Sequence, residues 1–76
     1  MKDAYQELGC LLRILRKQSG QTQEDIGKQL GVTRSTYTYY ETGKILPNVL
    51  TLRRLAEIFQ VPVEMLVYPE RYLPKK

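Results

Sequence analysis

Apolar residues along this chain recur mostly at intervals of three and four, the spacing that gathers side chains on one face of a helix. Leu8, Leu12 and Leu15 open the series and predict a helix over residues 4 to 18. Leu11 and Ile14 fall off that face, so the tail or a neighbouring helix must cover them, or they belong to a partner surface. Gly9 sits inside this helix at a cost of about 1 kcal/mol relative to alanine, which points to close approach of another helix. Arg13, Arg16 and Lys17 cluster toward the C-terminal end, where cations complement the helix dipole. Ser19 and Gly20 end it.

Thr22 then reads as an N-cap, and Asp25 three residues on completes an approximate capping box. Ile26 and Leu30 give the inward positions of a short helix from about Gln23 to Leu30. Gly27 stands where a larger side chain would strike the next helix. Gly31 supplies the positive φ that ends the helix, and Val32 drops into the core. Thr33 caps a further helix that ends near Thr42, before Gly43. Tyr37 and Tyr40 face the core on this register, which leaves Arg34, Ser35, Thr38 and Tyr39 outside. Tyr37 is where a register error would show first. The helix is rich in β-branched and aromatic residues of weak propensity, so tertiary packing must hold it.

Lys44 to Pro47 form a connecting loop and Asn48 is an N-cap. Leu52, Leu55, Ala56 and Phe59 make the apolar stripe of a fourth helix from Val49 to Phe59. A fifth, short helix follows Pro62, with Val63, Met65 and Leu66 beneath the others. The end, YPERYLPKK, reads as irregular or extended. The fold class is therefore all-α, one domain over residues 1–76, with a core from about 5 to 67 and a tail at 68–76.

Composition removes more than it adds. The 76 residues hold no histidine and one cysteine. An internal disulfide framework, an intramolecular zinc site and a Cys-His or Ser-His nucleophile pair are all excluded. No catalytic residue, metal or cofactor is expected, and Cys10 reads as a small apolar residue. Arg13 interrupts LLRIL, so neither a leader peptide nor a membrane span is expected, and the cytoplasm is the expected compartment. The net charge of +4 points toward a polyanionic partner, but where the charges sit matters more than their sum.

Thr22 to Gly43, TQEDIGKQLGVTRSTYTYYETG, thus has the form of a helix-turn-helix, two helices around a glycine turn. Around it stand Arg13 and Arg16 late in the first helix, Thr22-Gln23 opening the second, Glu41-x-Gly43 closing the third, Pro47 before the fourth and Leu55-Ala56-Glu57 within it. With these elements correctly spaced, the chain from about Leu8 to Val67 resembles the Cro/Xre-like, or phage lambda repressor-like, helix-turn-helix regulators. The resemblance implies a compact five-helix lambda repressor-like domain that binds operator DNA, usually as a symmetric dimer. The chain departs from the family pattern at Gly27 (commonly alanine), Tyr37 (aliphatic), Leu50 (polar), Gln60 (glycine) and Pro62 (Ser or Thr). The last two bear on the boundary between the fourth and fifth helices.

These residues suggest roles. The Arg34 guanidinium can bond guanine O6 and N7 together; a phosphate contact or a solvated charge are its alternatives. Ser35 can meet several base edges, the Thr38 methyl can touch a thymine methyl, and Tyr39 can reach a base or a phosphate. Thr22, Gln23, Thr33, Lys44 and Asn48 are the expected phosphate contacts. For Gln23, Lys44 and Asn48 the resemblance implies it, with Gln23 also bracing the recognition helix. Plain polarity at a helix start is the alternative for Gln23, and a structural cap the alternative for Thr33. By the same resemblance Arg16 and Glu41 form a structural ion pair tying the first helix to the end of the third. Leu66, Val67 and Tyr68 are the expected dimer surface. The function expected is sequence-specific binding of double-stranded DNA by a transcriptional regulator, a repressor by resemblance. The helix at about 34–41 would enter the major groove of a pseudo-palindromic operator. No membrane or small-molecule ligand is implied. The alternative is an antitoxin or adaptor binding a protein through Leu11, Ile14, Tyr68, Tyr72 and Leu73.

Overall fold

A computed structural model describes residues 4–74, which form five α-helices and a closing 3-10 turn. The helices are α1 (Ala4–Gln18), α2 (Gln23–Leu30), α3 (Arg34–Thr42), α4 (Val49–Phe59) and α5 (Val63–Val67). The turn is Pro69–Arg71. No strand occurs among the described residues. Met1 to Asp3 and the terminal lysines lie outside them.

Helices α2, α3 and α4 each start where a side chain accepts from an open N–H group. The Asp25 N–H donates to Thr22 Oγ1 at 3.0 Å and the Thr22 N–H donates back to Asp25 Oδ2 at 3.0 Å, a reciprocal capping box. Thr33 Oγ1 accepts from the Thr36 N–H at 3.1 Å and Asn48 Oδ1 from the Thr51 N–H at 2.8 Å. Gly31 closes α2 at φ 76°, a left-handed conformation that glycine adopts without strain. Gln60 does the same work for α4 at φ 57°, an asparagine-like compromise for a residue with a Cβ. The boundary between α4 and α5 thus forms without the usual glycine. Pro62 precedes α5 and gives it no side-chain cap.

The core is a single cluster of Leu8, Leu11, Leu12, Leu15, Ile26, Tyr37, Tyr40, Leu55, Ala56 and Leu66. Tyr37 is 0 % exposed and meets the Tyr40 ring edge to face at 6.3 Å, a favourable aromatic geometry. The register expected for α3 is the one found. Helix α1 is the centre of the packing, touching α3, α5 and the 3-10 turn. Gly9 makes the α1–α3 contact close enough for backbone to meet backbone.

Three expectations, on the tail, Val63 and Leu66, need correction, and the alternatives for Leu11 are decided. The tail is not irregular at its start: Pro69 is buried and the 3-10 turn packs on α1. With a third element on α1, Leu11 is buried in the core and drops out of any partner surface. Val63, expected beneath the other helices, is 40 % exposed because it stands at the first turn of α5. Leu66 is 2 % exposed. It therefore belongs to the monomer's core and has almost nothing left to bury against a second chain.

Candidate nucleic-acid interface

Helix α3 carries two sets of residues on opposite sides. Tyr37, Tyr40 and Glu41 are buried, while Arg34, Ser35 and Tyr39 are exposed and Thr38 is half-buried. Gln23, Arg34, Ser35, Thr38 and Tyr39 line one shallow open groove. A second, adjoining depression runs from Arg34 past Gln23 and Thr22 to Arg16. The four expected base-contacting residues and two of the expected phosphate contacts are therefore neighbours on one surface.

An ion pair underlies this surface. Arg16 Nε donates to Glu41 Oε2 at 2.7 Å and Nη2 to Oε1 at 3.4 Å. The two side chains are 13 % and 3 % exposed, so the pair is partly screened from water. Arg16 Nη1 also donates to the Gln21 carbonyl at 3.0 Å, so one guanidinium ties α1, the α1–α2 loop and the end of α3. Burial opposes ionisation of Glu41, but hydrogen bonding, that from Arg16 foremost, outweighs it and holds the carboxyl below its ordinary range. Arg16 is held above its own ordinary value, chiefly by its hydrogen bond to Glu41.

The Tyr37 hydroxyl lies within electrostatic reach of both members of this pair. It is nevertheless buried without a hydrogen-bond partner among the described residues. Burial first, then Glu41, push the phenol far above its usual range. Tyrosine at a position that resembles an aliphatic one in the family thus leaves an unsatisfied oxygen in the core.

Gln23 does more than begin a helix. Its Nε2 donates to Glu41 Oε1 at 3.1 Å, and its Oε1 accepts from Thr38 Oγ1 at 3.0 Å. Sequence reasoning placed Gln23 at the surface as a phosphate contact and a brace, but not these partners. Arg54 was given no role by the sequence. Its Nη2 donates to the Gln29 carbonyl at 3.1 Å, near the end of α2. No local pattern marks either partnership, because each links residues of different helices.

Thr22, Thr33 and Asn48 are all exposed, each with its side-chain oxygen engaged at its own helix start. Lys44 follows α3 in the loop, its Nζ 5.3 Å from the centre of the Tyr39 ring, within cation–π range. Its backbone N–H donates to the Tyr39 carbonyl at 3.0 Å. Among the described residues no group of His, Cys, Asp and Glu is placed to hold a metal ion. No helix among them is long and apolar enough to cross a membrane.

A capped α2, a left-handed glycine turn and an α3 presenting Arg34, Ser35 and Tyr39 outward are the parts of a DNA-reading helix-turn-helix. The helix-turn-helix domain family matches residues 7–67 of the chain. The chain belongs to the Cro/Xre-like helix-turn-helix family. One relative is a transcriptional regulator of uncharacterised role, YqaE, from Bacillus subtilis. It is 37 % identical over 59 residues, covering 78 % of this chain and 51 % of that protein. Another is the cryptic phage CTXphi transcriptional repressor RstR of Vibrio cholerae, 36 % identical over 56 residues, covering 74 % of this chain and 50 % of the other. The chain thus spans about half the length of these two relatives. In fold it is similar to the clp gene regulator ClgR from C. glutamicum, with a TM-score of 0.83 and both chains covered completely at 16 % identity.

Proposed function

We propose that this protein binds a specific sequence of double-stranded DNA and represses transcription there, with α3 in the major groove. The observation that carries the reading is the arrangement of α3. Its buried face is anchored by Tyr37, Tyr40 and the Arg16–Glu41 pair, and its outward face presents Arg34, Ser35 and Tyr39. Arg34 is the base reader, with bidentate geometry for guanine. Lys44 and the starts of α2, α3 and α4, with Thr22, Gln23, Thr33 and Asn48, grip the phosphate backbone and fix register.

The operator is a pseudo-palindrome bound by a homodimer, which sets two α3 helices about 34 Å apart in successive major grooves. Support for the pairing surface comes from the exposed Val67 and Tyr68 beside an apolar groove that includes Leu8, Leu46, Leu52 and Pro69.

Selection of binding sites from random duplexes tests the reading. A recurrent half-site in two inverted copies is expected, with affinity falling steeply as salt rises because counterions are released. A folded protein that enriches no sequence at low salt refutes it. A protein that stays monomeric when bound to a single duplex carrying both half-sites refutes the dimer.

A further inference from the structure

Thr38 is the one residue of the outward α3 set whose side-chain polar atom is already engaged. Thr38 Oγ1 lies 3.0 Å from Gln23 Oε1 and 2.9 Å from the Arg34 carbonyl oxygen. Both neighbours are acceptors and a hydroxyl has a single proton, so no donor is left for a base.

The direction of this bond is set from the ion pair outward. Ionised Glu41 only accepts, so Gln23 must turn its amide NH2 to Glu41 Oε1, at 3.1 Å. That leaves the Gln23 carbonyl facing Thr38, which must donate. Arg34 and Ser35, by contrast, hold no side-chain hydrogen bond or ion pair among the described residues.

We propose that Thr38 is a positioning residue which, through Gln23, couples the Arg16–Glu41 pair to the DNA-facing side of α3. Donation to base edges then falls to Arg34, Ser35 and Tyr39, the members of the set whose polar side-chain atoms are not committed in this way. Thr38 has no proton left for a base and offers its methyl, the group that suits a thymine methyl, and an oxygen that can only accept. This inference rests on the DNA-binding reading above.

The test is a double-mutant cycle on a panel of duplexes carrying every single-base change of the selected site. Thr38→Val removes the hydroxyl at nearly constant shape. It is expected to weaken every duplex by about fivefold, the loss of one neutral hydrogen bond, with no change in the preferred bases. Thr38→Ser restores the hydroxyl and should recover the uniform loss, while flattening any preference for thymine at one position. In a Gln23→Ala background, Thr38→Val should add less than about twofold, because its route to the backbone contacts is already cut. Thermal melts confirm folding, and Thr38→Ala carries the same cycle if the valine variant is unfolded. A changed base preference in Thr38→Val, or a full fivefold loss persisting in the Gln23→Ala background, overturns the inference and leaves the DNA-binding reading standing. A wild-type protein that selects no duplex overturns both.

Discussion

Replacing Gly9 with alanine sets two effects of opposite sign against each other in the middle of α1. A Cβ at Gly9 would lie 2.2 Å from the Glu41 carbonyl oxygen, 2.7 Å from its carbon and 2.9 Å from the Tyr40 oxygen. All three are backbone atoms, so no rotamer change makes room. Carbon–oxygen contacts start at about 3.3 Å, and α1 and α3 would have to part by roughly 1 Å. The parting loosens the contact between the α1 leucines and the α3 tyrosines, and it stretches the Arg16–Glu41 pair that bridges the same two helices. Overpacking of this kind costs about 1–3 kcal/mol, and rigid backbone puts this case at the upper end. Alanine returns about 1 kcal/mol through helix propensity, for a net loss of about 2 kcal/mol. In a domain of this size that lowers Tm by about 8–16 °C. Thermal and urea unfolding followed by circular dichroism read the difference. Gly27→Ala is the internal comparison: its Cβ would meet the Val32 oxygen at 3.2 Å, and it should stay within about 1 kcal/mol of wild type. A Gly9→Ala protein as stable as wild type would refute the reasoning, since propensity would then outweigh a contact that is not there.

Acid should weaken the fold through Glu41. Its folded pKa lies below the ordinary 4.5, so its contribution is full above that value and is lost as pH falls through the lower folded one. Urea unfolding between pH 7 and pH 3 should show that decline. Glu41→Gln should cost about 3 kcal/mol at pH 7 by stranding Arg16. It should also make the decline shallower without removing it, because the capping hydrogen bonds from Thr22 lower the Asp25 pKa too. Tyr37→Phe removes a buried oxygen that has no partner, so stability should hold or rise by up to about 1 kcal/mol. A loss larger than that in a thermal melt would mean the hydroxyl is bonded to the ion pair. On DNA, Arg34→Ala should cost about 1–3 kcal/mol and relax preference at one base pair, while Lys44→Ala should weaken all duplexes alike and reduce the salt slope by about one counterion. Matching profiles across a sequence panel would make Arg34 a phosphate contact.

What could be read in advance was local. Helix ends follow from caps that act within three residues, as Thr22 with Asp25 and Thr33 with Thr36 do. The inward face of α3 follows from the spacing of Tyr37 and Tyr40. The burial of Leu11 was legible only as one of two alternatives, cover by the tail or a neighbouring helix against a partner surface, and its burial decides for cover. Leu66 was read two ways, beneath the other helices and on a dimer surface; as the inward residue of a short helix it is claimed by the core.

The division of labour on α3 was illegible because it is not local. Residue type makes Thr38 as good a base reader as Ser35, since both carry a hydroxyl on the outward side. What separates them is Gln23, 15 residues earlier in the chain, and what orients Gln23 is Glu41, 18 residues later. Glu41 is in turn held by Arg16, 25 residues before it. Each link is a contact between helices, so it exists only once α1, α2 and α3 have packed. The residues that anchor α3 spend their polar groups on one another, and the groups left over at Arg34 and Ser35 are free to meet a ligand. A helix whose outward hydroxyls and amides were all unpaired would offer more contacts to DNA, but no fixed geometry in which to offer them.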